Sequence, residues 1–555
     1  MICLPICFFA ERVTCGHIYG AKTLLTLPRL VKLFACVWWL LLSTQSSVLL
    51  AVEREHPNIV FFLVDDLGWR DTGVYGSTFY RTPNIDRFAK QGVRFTSAYA
   101  ACHVCSPTRA SIMTGKYPAR LQLTDWLPGR REFSFQKLQN APIHQYLPES
   151  EVTIAEALKA HGYNTAHIGK WHLGEEPHGP RSQGFDVQIP SWNKGWPKSG
   201  YHAPFGFNGL AGKENEYLTD RLTDEAEKFM EVNQDHPFFL YLSHFAVHDP
   251  IQGRNDLVAD YRKRLANSKP SNAPAFVLEG APNSISEEVN SLPAGREHEG
   301  YRVFSDRTVK IKQRQDNVQF AAMVEAMDQS LGRILAKLKK LGLEKDTIVI
   351  FFSDNGGMSA ANFGNPLRIV SPEKLDRAYA TSNLPLRGAK GWLYEGGIRE
   401  PLIVRWPQQG RSGVVCDEPV MSTDFYPTIL EMAGLPARSE QHVDGVSLTP
   451  LLTGGGKLSR KAIYWHFPHY SNHGMQSPGG AIRVGDYKLL EYFENSAVQL
   501  FNLRNDIGEQ KNLAAREPAK VEELQALLNA WRVEVKARMP IVNPDYLERP
   551  VGTER

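Results

Sequence analysis

Five short apolar runs divide the chain: Asn58–Val64 (N-I-V-F-F-L-V), Tyr163–Gly169 (Y-N-T-A-H-I-G), Pro237–Ser243 (P-F-F-L-Y-L-S), Thr347–Ser353 (T-I-V-I-F-F-S) and Pro401–Trp406 (P-L-I-V-R-W). Their length and their β-branched and aromatic content predict strands. None alternates cleanly between apolar and polar positions. Each is therefore expected to be covered on both faces, the habit of a parallel sheet between helix layers. Helical periodicity fills the gaps, over Thr153–His161, Asp220–Val232 and above all Phe320–Leu341. In that last stretch Phe320, Met323, Val324, Met327, Leu331, Ile334, Leu335 and Leu338 recur at i, i+3, i+4 spacing, and Gly342 follows as a stop. Strand–helix alternation predicts an α/β fold, with a large, mostly parallel sheet sandwiched by helices. The pattern changes after about residue 455. Ala481–Leu490 and Ala497–Leu503 read as short antiparallel strands, and Glu517–Arg538 reads as a closing helix. A smaller C-terminal α+β domain with an antiparallel sheet, over 456–555, is expected behind a main domain over 52–455. The segment Pro250–Gln315 has no strong period and reads as a long loop or insertion. Its bases Arg302, Arg307, Lys310, Lys312 and Arg314 are expected to form a solvated surface.

The N-terminus changes how the composition is read. Arg29 and Lys32 precede an apolar run, Leu33–Leu42, which gives way to small and polar residues and ends near Ala51. That order describes a secretory signal peptide over 1–51, and hence a secreted or periplasmic protein; an uncleaved anchor is the alternative. The chain carries 63 Lys and Arg against 60 Asp and Glu, for a net +3. The leader holds four of those bases (Arg12, Lys22, Arg29, Lys32) and one acid (Glu11), so the remainder is close to neutral. Near-neutrality gives no case for a nucleic-acid partner or for stable membrane association. Of seven cysteines, Cys3, Cys7, Cys15 and Cys36 belong to the leader. Cys102, Cys105 and Cys416 remain, and whether Cys102 pairs with Cys416 is left open.

The chemistry-bearing residues stand just after the predicted strands. Asp65-Asp66 follow the first, Lys170-Trp171-His172 the second, His244 and His248-Asp249 the third, and Asp354-Asn355 the fourth. In open α/β sheets, ligands bind beyond the carboxyl ends of the strands. One such terminus is an ordinary turn; four together point to a site. Asp65, Asp66, Asp354 and Asn355 offer only oxygen ligands, which favour Ca²⁺ or Mg²⁺ over zinc, and Ca²⁺ tolerates crowded carboxylates best.

The most specific motif is Cys105-Ser106-Pro107-Thr108-Arg109, followed by a short stretch to Thr114-Gly115. It resembles the sulfatase signature C-x-P-S/T/A-R. Asn58–Gly68, Thr82–Asp86, Gly169–Gly174, His248–Pro250, Asp354–Gly357 and Arg387–Pro401 are similar to sulfatase motifs in the family's order, and the likeness runs over about residues 57 to 515. The resemblance implies an alkaline-phosphatase-like fold and a sulfuric ester hydrolase. It also implies that a maturation enzyme converts Cys105 to Cα-formylglycine, which joins Asp65, Asp66, Asp354 and Asn355 around one Ca²⁺. Arg109 then orients the hydrated aldehyde. Lys170 and Lys390 grip sulfate oxygens, His172 helps deprotonate the geminal diol, and His248 serves with Lys390 at the leaving oxygen.

That chemistry is physically sensible. A hydrated aldehyde has two geminal hydroxyls. One attacks sulfur to give a covalent sulfo-enzyme, and the other later expels sulfate by reforming the aldehyde. Two competing readings stand beside it. One is a phosphomonoesterase or phosphodiesterase of the same superfold; the other is a non-catalytic carbohydrate-binding protein. The expected substrate is a sulfated small molecule or glycan, with a sulfated carbohydrate favoured. Trp192, Trp196, Tyr201 and His202 are candidates to wall a sugar pocket, and Tyr464–His469 to reach its rim.

Overall fold

The computed structural model describes residues 56–269, 274–279, 308–365 and 368–547. The leader over 1–51, Arg302 and Arg307 lie outside the described residues. The strand at Asn58–Val64 (β1) shows why an unbroken apolar run forms. All seven residues are buried. Val60, Phe62 and Val64 enter one core, while Ile59, Phe61 and Leu63 enter another. Period-two geometry sends alternate side chains to opposite faces, and here both faces are dry.

The other strands of this sheet are β2 (Val93–Tyr99), β3 (Asn164–Gly169), β4 (Val187–Ile189), β5 (Phe238–Ser243), β6 (Thr347–Ser353), β7 (Arg399–Arg405), β8 (Val414–Cys416) and β9 (Val420–Met421). Their order is β8-β2-β7-β6-β1-β5-β3-β4, with β9 also on β2. The strands β6, β1, β5 and β3 are mutually parallel, with Val64 opposite Ser353 and Leu63 opposite Ser243. Their carboxyl ends therefore share one edge. The parallel expectation fails at β7, which runs antiparallel to both β2 and β6. Burial on both faces carries no direction, so periodicity could not reveal this. The connection from β6 to β7 therefore starts and finishes at the same edge.

Helices cover the two faces. Leu218–Val232 and Val318–Lys340 pack on one, burying Leu222, Ala226, Met323, Met327 and Leu331 in the first core. Cys105–Thr114, Ile154–Lys159 and Phe425–Met432 pack on the other, with Ile112, Met113, Ile154, Leu158, Phe425 and Ile429 in the second. Among the described residues no helix is long and apolar enough to cross a membrane.

A four-stranded antiparallel sheet follows, β10 (Ala462–Phe467), β11 (Gly479–Val484), β12 (Tyr487–Tyr492) and β13 (Val498–Asn502) in sequential order. The stretch Ala481–Leu490, expected as one strand, is a hairpin that turns at Gly485, where φ is 57°. Helix Pro518–Glu534 covers this sheet through Leu524, Leu528 and Trp531. A third core joins the sheet to Tyr99, Trp392 and Tyr394 of the α/β layer.

The join also contains buried charge. Lys488 Nζ lies 3.0 Å from Glu395 Oε1 and 2.9 Å from Glu509 Oε1, and all three residues are fully buried. Lys488→Met would leave the buried Glu509 without its cation and Glu395 with only Arg399. We expect a loss of about 3–5 kcal/mol in unfolding free energy, read from the denaturant midpoint.

The segment expected as an irregular insertion contains the helix Asn255–Ala266 and a ribbon pairing Phe276–Glu279 with Val309–Lys312. Lys310 and Lys312 are buried in that ribbon, against the solvated surface expected of them. The charge of Lys312 is met by Asp316 at 2.6 Å, and its ammonium lies over Phe276. Arg314 is also engaged in the structure. Among the described residues Cys102, Cys105 and Cys416 are free thiols, so Cys102 and Cys416 are not paired.

Candidate active site

The shared strand edge gathers the residues that the sequence singled out. Asp65 and Asp66 leave β1, and Asp354 and Asn355 leave β6. Lys170 and His172 leave β3, and His248 stands five residues beyond β5. Gly169, with φ 114°, ends β3 where a Cβ would lie 1.8 Å from Ser243 O, so only glycine permits this approach of β3 to β5. Cys105 is the first residue of its helix and Arg109 lies one turn on. The positive end of that helix dipole thus lies at Cys105. Lys390 comes from the connection between β6 and β7.

Three carboxylates are matched by three cations. Lys170 Nζ is 2.5 Å from Asp65 Oδ2, and Lys390 Nζ is 2.7 Å from Asp66 Oδ1. Arg109 binds Asp354 Oδ2 through Nε at 2.8 Å, while its Nη1 donates to Lys170 O and Ser243 Oγ. All are buried. Burial opposes the charge on Arg109 and on Lys390, but the carboxylates of Asp354 and Asp66, respectively, outweigh it and push both pKa values up. Burial and then the charge of Asp354 drive Asp65 up to about 8. Asp66, with Lys390 beside it, is held below the usual carboxylate range despite its burial.

Cys105 Sγ lies 3.2 Å from His172 Nδ1, and His172 Nε2 lies 2.8 Å from Leu127 O. A carbonyl can only accept, so Nε2 carries the proton and Nδ1 is left as an acceptor facing Cys105. Burial, reinforced by Lys170, pushes the pKa of His172 well below its ordinary value, which keeps the ring neutral. His172 (φ 58°) and Asp66 (φ 62°) both sit in the left-handed region, which costs roughly 1–3 kcal/mol each and is tolerated where surrounding contacts fix the backbone. His248 bonds Asp249 through Nδ1 and places Nε2 3.7 Å from Asp66 Oδ2. Burial and Lys390 work against its protonation, but the carboxylates of Asp66, Asp249 and Asp65 prevail and lift its pKa to about 9.

A model of the family described as Sulfatase matches residues 57–435. The chain belongs to the sulfatase family. A second model, described as N-sulphoglucosamine sulphohydrolase, C-terminal, matches residues 389–536. The chain is 30% identical to a sulfatase of Formosa agariphila over 567 residues, covering 87% of this chain and 90% of that one. It is also 30% identical to the N-acetylgalactosamine-6-sulfatase of Mus musculus, covering 77% and 72%. Among solved structures, Ps i-CgsB in complex with k-i-k-neocarrahexaose matches with a TM-score of 0.63 at 27% identity, covering 89% and 95%. The chain is therefore a sulfuric ester hydrolase, and its sheet is the alkaline-phosphatase-like one of sulfatases.

The residues of this sulfatase also suit a hard cation. Asp65 Oδ1 and Asn355 Oδ1 are buried with no hydrogen-bond partner among the described residues. Ligand atoms of Asp65, Asp66 and His248 lie within 4.8 Å of one another. Unpaired buried oxygens are costly, and a divalent ion would satisfy them. Since the carboxylates are already matched by Arg109, Lys170 and Lys390, such an ion would leave the site positive for an anionic substrate.

Cys105 opens into a cavity of about 310 Å³, lined also by Trp126, Trp196, Asn362, Lys390 and His473. Of the four aromatic and imidazole candidates for a sugar wall, Trp196 lines it. Trp192 instead supports Trp196, donating from Nε1 to its carbonyl at 2.7 Å. Tyr201 is buried and donates to His248 O, and His202 meets Gly253 O. The rim expectation for Tyr464–His469 is not met: Tyr464 stacks on Trp531, and Trp465 bonds Ala100 O. Asn472 and His473, a few residues on, line the cavity instead. Trp126, Asn362, Asn472 and His473 carried no sequence signal, because irregular loops bring them in.

Proposed function

We propose that this sulfatase hydrolyses sulfate monoesters on a sulfated carbohydrate, with Cys105 converted to Cα-formylglycine by a maturation enzyme. The reading includes one Ca²⁺ held by Asp65, Asp66, Asp354, Asn355 and residue 105. It also includes secretion or periplasmic export by the N-terminal leader. The observation that carries it is the acceptor nitrogen of neutral His172 facing Cys105 in a cavity flanked by buried cations. The sulfur occupies the place on Cβ that this reading gives to oxygen.

Each side chain then has a task. His172 Nδ1 takes a proton from the group on residue 105. Arg109, fixed by Asp354, Lys170 O and Ser243, orients that group. Lys170 and Lys390 offer ammonium charge to sulfate oxygens. His248, whose protonated form the carboxylates of Asp66 and Asp249 favour, can deliver a proton to the departing sugar oxygen. A divalent ion, when bound, supplies Lewis-acid activation of an adjacent hydroxyl and neutralises sulfate charge. A carbohydrate is favoured because Trp196 and Trp126 line the cavity together with Asn362 and Asn472. The names of two relatives agree, one a hexosamine sulfatase and one solved with a carrageenan-type oligosaccharide.

The test compares aryl sulfate with aryl phosphate, after EDTA and with Ca²⁺ or Zn²⁺ restored. Sulfate release restored by Ca²⁺ is expected; phosphate turnover alone, restored by Zn²⁺, would reverse the reading. Mass spectrometry of the peptide containing Cys105 should find that residue about 18 Da lighter than cysteine.

A further inference from the structure

A second cavity, of about 320 Å³, lies beside the one that Cys105 opens into. Neighbouring residues divide between the two. Trp126 lines the first and Leu127 the second, and Gly195 and Lys194 separate in the same way. The hydrogen bond from His172 Nε2 to Leu127 O ties the walls together. Apart from Leu127, whose carbonyl fixes the His172 tautomer, no residue lining this second cavity has a task in the chemistry proposed above.

Its distinguishing feature is a flat aromatic surface. Tyr146 and His178 stack with ring centroids 3.7 Å apart and planes within 4°. Tyr146 nevertheless remains 38% exposed. His178 is held in turn: its Nδ1 meets Glu149 at 2.9 Å, and its backbone N–H donates to Glu175 O at 2.7 Å. Gly174, with φ 135°, lets this happen, since a Cβ there would lie 2.7 Å from Tyr146 Cβ. A rigid, half-open ring in a concave wall suits the apolar face of a pyranose. Gln145 and Asn193 also line it, with their amide nitrogens donating to Pro128 O and Glu175. The local charge does not favour an anion. Lys194 is paired with Glu175 at 2.8 Å, and Glu176 stands beside them.

We propose that this cavity binds an uncharged sugar next to the sulfated one, so that the enzyme acts on sulfated oligosaccharides in preference to sulfated monosaccharides. The inference rests on the carbohydrate sulfatase reading above. To test it, wild type, Tyr146→Ala and Tyr146→Phe are assayed on an aryl sulfate, on sulfated galactose and N-acetylgalactosamine, and on oligosaccharides ending in those sugars. Wild type is expected to favour oligosaccharide by about tenfold or more in kcat/KM. Tyr146→Ala should lose that advantage and Tyr146→Phe keep it, with aryl sulfate turnover unchanged in both. Equal use of monosaccharide and oligosaccharide would overturn the proposal, as would a preference that Tyr146→Ala leaves intact or turnover of aryl sulfate alone. Loss of all turnover in wild type, aryl sulfate included, would defeat the underlying reading and this inference with it.

Discussion

Replacing Cys105 with alanine is expected to lower sulfate release by about three orders of magnitude or more, the scale seen when a covalent nucleophile is removed. The substitution deletes one buried atom, so the fold should survive, and a thermal melt would verify that. The residual rate would come from the cationic surroundings, which still bind and polarise the ester. Cys105→Ser should be as slow, because a single hydroxyl, once sulfated, has no internal route for expelling the group. Full activity in the alanine protein would remove residue 105 from the mechanism.

The second large effect is expected at Lys390. It is a buried ammonium, held charged by Asp66, on the wall of the same cavity as Cys105. Lys390→Ala should reduce kcat by roughly 10²–10³-fold, the range for losing one preorganised group that stabilises developing charge. The loss should fall on kcat more than on KM if the charge acts at the leaving oxygen. Lys390→Arg, which keeps charge but changes shape, should recover part of it. A merely structural Lys390 would lower the melting temperature and leave kcat per folded molecule unchanged.

Much of this site was legible because its residues sit at the ends of recognisable strands. Asp65, Asp66, Asp354 and Asn355 follow apolar runs that could only be buried strands, and the carboxyl ends of parallel strands meet. The Cys105–Arg109 motif was legible as a short, ordered pattern. Other features depend on tertiary context. The direction of β7 is invisible in a segment buried on both faces. The turn at Gly485 splits a run whose two halves look alike. Lys310 and Lys312 read as surface charge until the structure buries them, with Asp316 and the Phe276 ring beside Lys312. Asn472 and His473 enter the cavity from an irregular loop, where position depends on contacts remote in sequence, such as Trp392 Nε1 with His473 O.

For the proposed conversion of Cys105, the burial of the helix that begins there fixes an order of events. All ten of its residues are buried, including the motif through Arg109. An enzyme that reads that motif as a stretch of peptide must do so before the chain closes over it. Closure depends on strand pairings such as β1 with β6, almost 300 residues apart, which form slowly because distant segments must first meet. The fold thereby sets a deadline for the modification while its long-range topology delays that deadline. Chains that fold early would carry an unconverted thiol whose motif a peptide-reading enzyme could no longer engage.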